Sequence, residues 1–97
     1  MKWAPLKLHL AHNEPNPFNP ETTIRYTLPA TSHVTLSIYS VSGKLVRTLV
    51  NRTLGPGVCE ATWNGTDDAG SAVPPGVYFY RLQAGSPTHV EKMTLLK

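Results

Sequence analysis

The chain has one cysteine, Cys59, and a lone thiol rules out an internal disulfide. It also has no apolar run approaching the ~20 residues that a membrane-spanning helix requires. Its opening residues, Met1-Lys2-Trp3-Ala4-Pro5, contain no apolar stretch of the signal-peptide kind. Charge is sparse as well. Nine Lys and Arg against six Asp and Glu give a net +3, and the basic residues are scattered rather than gathered into the patch that binds nucleic acid. No apolar set recurs at helical spacing over a useful length, so little or no helix is expected. No internal repeat and no low-complexity tail appear. A chain of 97 residues is one domain, 1–97, long enough to build a core without metal or disulfide staples. Residues 1–5 read as a linker.

Residues that could carry chemistry are equally scarce. His9, His12, His33 and His89 fall in no motif, and strand parity turns His9 and His33 outward. Cys59 occupies an inward position, where a thiol behaves as a small inert apolar group. No nucleophile–base pair stands out, no zinc spacing of Cys and His occurs, and no phosphate loop precedes a helix. Neither catalytic nor cofactor-binding residues are assigned. Asn64, Asp67 and Asp68, within Asn64-Gly65-Thr66-Asp67-Asp68-Ala69-Gly70, are the only metal candidates. Their spacing does not fit the twelve-residue calcium loop and no bidentate Glu closes it. Asx side chains bonding their own backbone explain the segment more simply. Asn51-Arg52-Thr53 and Asn64-Gly65-Thr66 match the short glycosylation sequon.

What the chain does have is punctuation. Nine Pro and seven Gly separate short alternating runs, the pattern of an all-β chain. About seven strands are expected, at residues 6–10, 22–28, 33–39, 44–50, 58–63, 77–84 and 88–97. Ile24, Tyr26 and Leu28 share one face of the second strand, and Val34, Leu36 and Ile38 one face of the third, with Thr35 and Ser37 opposite. The fourth is ambiguous, because Leu45-Val46 and Leu49-Val50 are adjacent apolar pairs. Cys59, Ala61 and Trp63 face inward on the fifth; Tyr78, Tyr80 and Leu82 do so on the sixth. Gly43 suits a hairpin turn that needs positive φ. In Asn16-Pro17-Phe18-Asn19-Pro20, each Pro fixes its own φ and restrains the residue before it, making a rigid lead into the second strand. The sum is an antiparallel two-sheet sandwich, with Trp63 as its largest core side chain.

Taken in order, these blocks resemble a known family. Asn13-Glu14-Pro15-Asn16-Pro17-Phe18-Asn19-Pro20-Glu21-Thr22-Thr23-Ile24-Arg25-Tyr26-Thr27-Leu28-Pro29 is similar to the opening of the C-terminal sorting domains of the type IX secretion system. Val34-Thr35-Leu36-Ser37-Ile38-Tyr39 with Ser42-Gly43-Lys44-Leu45-Val46-Arg47-Thr48-Leu49 resembles the family's middle. Trp63-Asn64-Gly65-Thr66-Asp67-Asp68-Ala69-Gly70, Pro75-Gly76-Val77-Tyr78-Phe79-Tyr80-Arg81-Leu82 and Lys92-Met93-Thr94-Leu95-Leu96-Lys97 continue it. The immunoglobulin-like domain of flagellar hook-capping proteins shares the middle and the Trp-containing block. Ser40, where the family often has an acid, and Cys59, at a usually apolar or His position, depart from the pattern.

The resemblance implies an immunoglobulin-like β-sandwich at the end of a larger exported, often hydrolytic protein. Its partners would be the outer-membrane secretion and attachment machinery and the parent's upstream domains, with no nucleic acid and no direct membrane insertion. The domain would pass through the periplasm and end at the cell surface or outside. The terminal block Lys92, Met93, Leu95, Leu96 and Lys97 would be the sorting signal, docking as an edge strand with basic flanks. Asn16, Pro17, Phe18, Asn19, Pro20, Gly43, Trp63, Gly65, Gly70, Gly76 and Tyr78 form its structural signature. The competing expectation is a carbohydrate-binding or structural accessory module of a glycoside hydrolase; if it binds carbohydrate, Trp3, Trp63, Tyr78 and Tyr80 would stack on sugar rings. The inward parity of Trp63, Tyr78 and Tyr80 argues against it.

Overall fold

The computed structural model describes residues 8–18, 21–85 and 88–96. Expectations that rest on Trp3, Leu6, Lys7, Asn19, Pro20 and Lys97 lie outside them. Seven strands form among the described residues: β1 (His9–Leu10), β2 (Thr22–Leu28), β3 (Ser32–Ser40), β4 (Leu45–Leu54), β5 (Gly57–Trp63), β6 (Gly76–Gln83) and β7 (His89–Leu95). They make two antiparallel sheets, ordered β1-β2-β5 and β4-β3-β6-β7.

Alternation sets the core. Ile24 and Leu28 of β2, Val34, Leu36 and Ile38 of β3, Trp63 of β5 and Tyr80 and Leu82 of β6 are wholly buried between the sheets. Arg25 and Glu60, opposite each other on the solvent face of β2 and β5, pair at 2.7 Å. Burying each large apolar side chain contributes about 1.5–3 kcal/mol, so the two inner faces hold the sandwich together.

Turns fall where glycine permits them. Gly43, at φ 85, ends the β3–β4 hairpin and donates its N–H to the Ser40 carbonyl at 2.9 Å. This left-handed backbone favours a residue without Cβ. Gly55 and Pro56 stop β4 before β5 begins at Gly57.

Three expectations are corrected. Ser37, placed outward by parity, is only 3% exposed. It sits on a central strand between Thr48 and Arg81, and a serine is too short to rise above such neighbours. Strand β4 runs on to Leu54, past the polar Asn51, Arg52 and Thr53, because its pairing with β3 continues through them. Register shifts at Leu36/Ser37 and Ile38/Tyr39 explain its mixed facing, since each extra residue flips the parity of the residues after it. Finally, the edge of β7 is not fully open, as its C-terminal end is already paired with residues 16–18.

Candidate functional site

The terminal block occupies β7, an edge strand of the four-stranded sheet. Its members have different surroundings. Met93 and Leu95 are 1% and 2% exposed and belong to the core, whereas Lys92 is exposed and Leu96 is 48% exposed. Only the exposed residues can be read from outside while the domain is folded.

The opening proline motif reaches the same edge. The Phe18 N–H donates to the Thr94 carbonyl at 3.0 Å, and the Leu96 N–H donates to the Phe18 carbonyl at 2.8 Å. The Asn16 Oδ1 accepts the Thr94 N–H at 3.1 Å. Phe18 thus forms a parallel bridge with Leu95 of β7, and the Asn16 side chain adds a second contact beside it. Two residues before Asn16, Glu14 exchanges backbone hydrogen bonds with Thr23 of the other sheet. The motif therefore ties the two sheets together across one edge of the sandwich, beyond leading into β2. The Glu14–Pro15 and Asn16–Pro17 peptide bonds are cis.

Behind this crossing lies an aromatic stack. Phe18 packs on Trp63 with ring centroids 5.6 Å apart, and Trp63 meets Tyr78 nearly edge-on at 5.3 Å. Three signature residues from distant parts of the sequence are one contact group. Edge-to-face rings add to the apolar burial. The Trp63 Nε1–H donates to the Thr66 carbonyl at 2.7 Å, and the Tyr78 hydroxyl donates to the Pro74 carbonyl at 2.6 Å.

The Trp63 contact explains the polar loop after it. Gly65, at φ 76, bends the chain back so that its carbonyl accepts the Val73 N–H at 3.0 Å. Asp67 Oδ1 accepts the N–H groups of Ala69 at 3.0 Å and Ser71 at 2.9 Å, an Asx turn. Asp68 Oδ1 accepts the Thr48 N–H at 3.1 Å, and the Asp68 N–H donates to the Val46 carbonyl, which docks the loop on the edge of β4. Asn64 Oδ1 accepts the Thr66 hydroxyl. The three metal candidates thus spend these oxygens on the loop and its docking to β4. Among the described residues no three His, Cys, Asp or Glu side chains gather.

The remaining candidates are dispersed. His9, His12 and His33 are set apart on the surface. His12 Nδ1 lies 3.4 Å from Glu91, and His33 Nε2 is 2.7 Å from Asn51 Oδ1. Cys59 is half-buried and packs against the core. Trp63, Tyr78 and Tyr80 point inward and offer no sugar-stacking surface. Burial raises the phenols of Tyr26, Tyr78 and Tyr80, Tyr80 to about 12. For Tyr26 the neighbouring Cys59 adds to the rise and Arg52 offsets part of it.

Two features carry no mark in the sequence. Asn13, 1% exposed, donates from Nδ2 to Thr22 Oγ1 at 3.1 Å and to the Pro15 carbonyl at 3.2 Å, pinning the proline loop to β2. No hydrophobic signal marks a buried Asn. The second lies on the outer face of the four-stranded sheet, where Tyr39, Val41, Phe79, Arg81 and Val90 line an open recess of ≈ 310 Å³. The Arg81 guanidinium lies 5.4 Å from the Tyr39 ring centroid.

This is an immunoglobulin-like β-sandwich whose two sheets are joined at one edge by a proline-rich crossing. The chain belongs to the FlgD Ig-like domain family, which it matches over residues 18–87. No curated protein sequence matches it significantly. Among solved structures it is similar to FlgD from P. aeruginosa, with a TM-score of 0.61 and 25% identity over 76% of this chain and 59% of that one. It is also similar to dimeric latent PorU from Porphyromonas gingivalis, with a TM-score of 0.69 and 22% identity over 88% of this chain and 9% of PorU. PorZ, a surface component of the type IX secretion system of P. gingivalis, gives a TM-score of 0.63 and 18% identity over 93% of this chain and 11% of PorZ. The chain therefore spans less than two thirds of FlgD and about a tenth of the two Porphyromonas proteins.

Proposed function

We propose that this domain is a non-catalytic C-terminal module that directs a larger, hydrolytic protein through type IX secretion and attaches it to the cell surface. Its partners are the outer-membrane secretion and attachment machinery and the upstream domains of its parent. The observation that carries this reading is the division of the terminal block. Met93 and Leu95 anchor β7 in the core, while Lys92 and Leu96 remain exposed for a receptor to read. The similarity to PorZ, whose own role lies in type IX secretion, supports the reading, as does the ordered match of sequence blocks to sorting domains.

The division also dictates the test. Deleting residues 92–97 would remove two core side chains and unfold the domain, which confuses a lost signal with a lost fold. Surface exchange avoids this. A reporter fused to the 97-residue chain is expected to leave a cell that has the type IX machinery. Lys92→Glu together with Leu96→Glu should hold it in the periplasm with the thermal melt of the domain unchanged. Undiminished export of that variant would show that the exposed part of the terminal block is not the signal.

A further inference from the structure

We propose that the free part of the β7 edge, at Val90 and Lys92, takes up an extended peptide that carries both acidic and apolar side chains on its outward face, as a fifth strand of the larger sheet.

The edge itself supplies the first reason. Strand amides on one side recur every second residue. The Thr94 and Leu96 N–H groups turn away from β6, toward Asn16 and Phe18. Those of Val90 and Lys92 turn the same way, and among the described residues no backbone group meets them. The chain already uses the other half of this edge to hold a parallel backbone bridge, at Phe18. A second segment at Val90 and Lys92 extends an arrangement the fold has adopted once, through main-chain hydrogen bonds.

The second reason is the surface beside that edge. On the outer face Arg81 lies opposite Val90, and Phe79 lies opposite Lys92. Val90 is 55% exposed and Val41 71% exposed. A strand added to β7 at the usual spacing of about 4.8 Å sets its outer side chains next to Val90, with the recess over Phe79 one strand further in. A long apolar side chain reaches it across Val90.

Charge selects the occupant. β3, β4, β6 and β7 carry one carboxylate between them, Glu91. It lies opposite Tyr80 on the inner face, beside His12. The outer face of these strands thus presents Arg81 and Lys92 without an acidic counterpart. Pairing two copies of this chain edge to edge would bring lysines together, and an edge lysine is a known guard against that. An acidic peptide turns the same cations into attraction.

The test uses the 97-residue chain and a capped nonapeptide with glutamate and phenylalanine in turn at its odd positions, which share one face, and threonine at its even ones. A lysine-for-glutamate peptide serves as control. Amide NMR titration should show the glutamate peptide shifting Val90 and Lys92, and the lysine peptide binding about tenfold more weakly or worse. Arg81→Glu with Lys92→Glu should reverse that preference. Val90→Pro, which removes an outward N–H and spares the backbone bonds to β6, should abolish binding. If it disturbs the fold by circular dichroism, the charge reversal decides alone. Equal binding of both peptides, no binding of either, shifts confined to the β5 edge, or self-association of the chain would each overturn the proposal. So would a large gain in affinity on deleting residues 1–7, which would make that segment the occupant. Because binding is measured on the purified chain, its failure leaves the export reading standing, and failed export leaves this proposal standing.

Discussion

Tyr80 shows what one buried side chain does for this sandwich. Its ring is fully buried, and its hydroxyl donates to the Ala11 carbonyl at 2.8 Å, linking β6 to the residue that follows β1. Burial raises its pKa to about 12 from 10.0, so the folded state keeps a proton that the unfolded chain gives up sooner. The stability this confers is complete below pH 10 and is lost as pH rises from there through about 12. The unfolding free energy should therefore hold up to about pH 9.5 and fall above it, and Tyr80→Phe should flatten that fall while lowering the plateau by about 1 kcal/mol. Calorimetry from about pH 7 to about pH 11.5 checks both. Asp67 is the other residue on which a choice rests. Asp67→Ala frees two backbone amides and should cost about 1–2 kcal/mol in urea unfolding. Millimolar calcium should leave the melt of the native chain unchanged; a rise would return residues 64–70 to the metal reading.

The polar crossing at residues 13–18 is the element that most distinguishes this chain from a plain sandwich. Asn13 fastens it to β2, Asn16 fastens it to β7, and Phe18 drives a ring beneath both against Trp63. Asn16→Ala removes only the side-chain acceptor of the Thr94 N–H. That amide should then exchange with deuterium about tenfold faster, with the core of β6 unaffected, because the change opens a local unit and not the whole domain. Uniform acceleration would mean that Asn16 holds more than the end of β7. Phe18→Ala should do more. It empties a core site and costs about 3–5 kcal/mol, and it loosens the block proposed to be read during export.

At the scale of the molecule, the two sheets share one core. Ile24 belongs to the smaller sheet and Met93 to the larger, yet both lie in the same buried cluster. A domain of this size with one core unfolds as a unit. Ile24→Ala and Met93→Ala should each lower the stability measured from a single transition by about 2–5 kcal/mol, with circular dichroism and tyrosine fluorescence coincident. Separate transitions for the two sheets would refute this. The same unity explains why the exposed and buried residues of β7 must be tested apart: any deletion there reports on folding first.

Much of this was legible from residue order alone, and the reason is local. Two-residue alternation put Ile24, Tyr26 and Leu28 on one face of β2, and Tyr78, Tyr80 and Leu82 on one face of β6. Glycine and proline marked where strands must stop, since their backbone limits act within one or two residues. Tertiary structure decided what depends on neighbours far along the chain. Ser37 is buried because longer side chains flank it across two strands, and β4 faces both ways because its pairing carries two irregularities. Phe18 meets Leu95 through a pairing of which strand periodicity bears no trace. Whether an amide at the β7 edge is taken or free is likewise a property of the assembled sheets: local sequence sets which way a side chain points, and only packing sets what it meets.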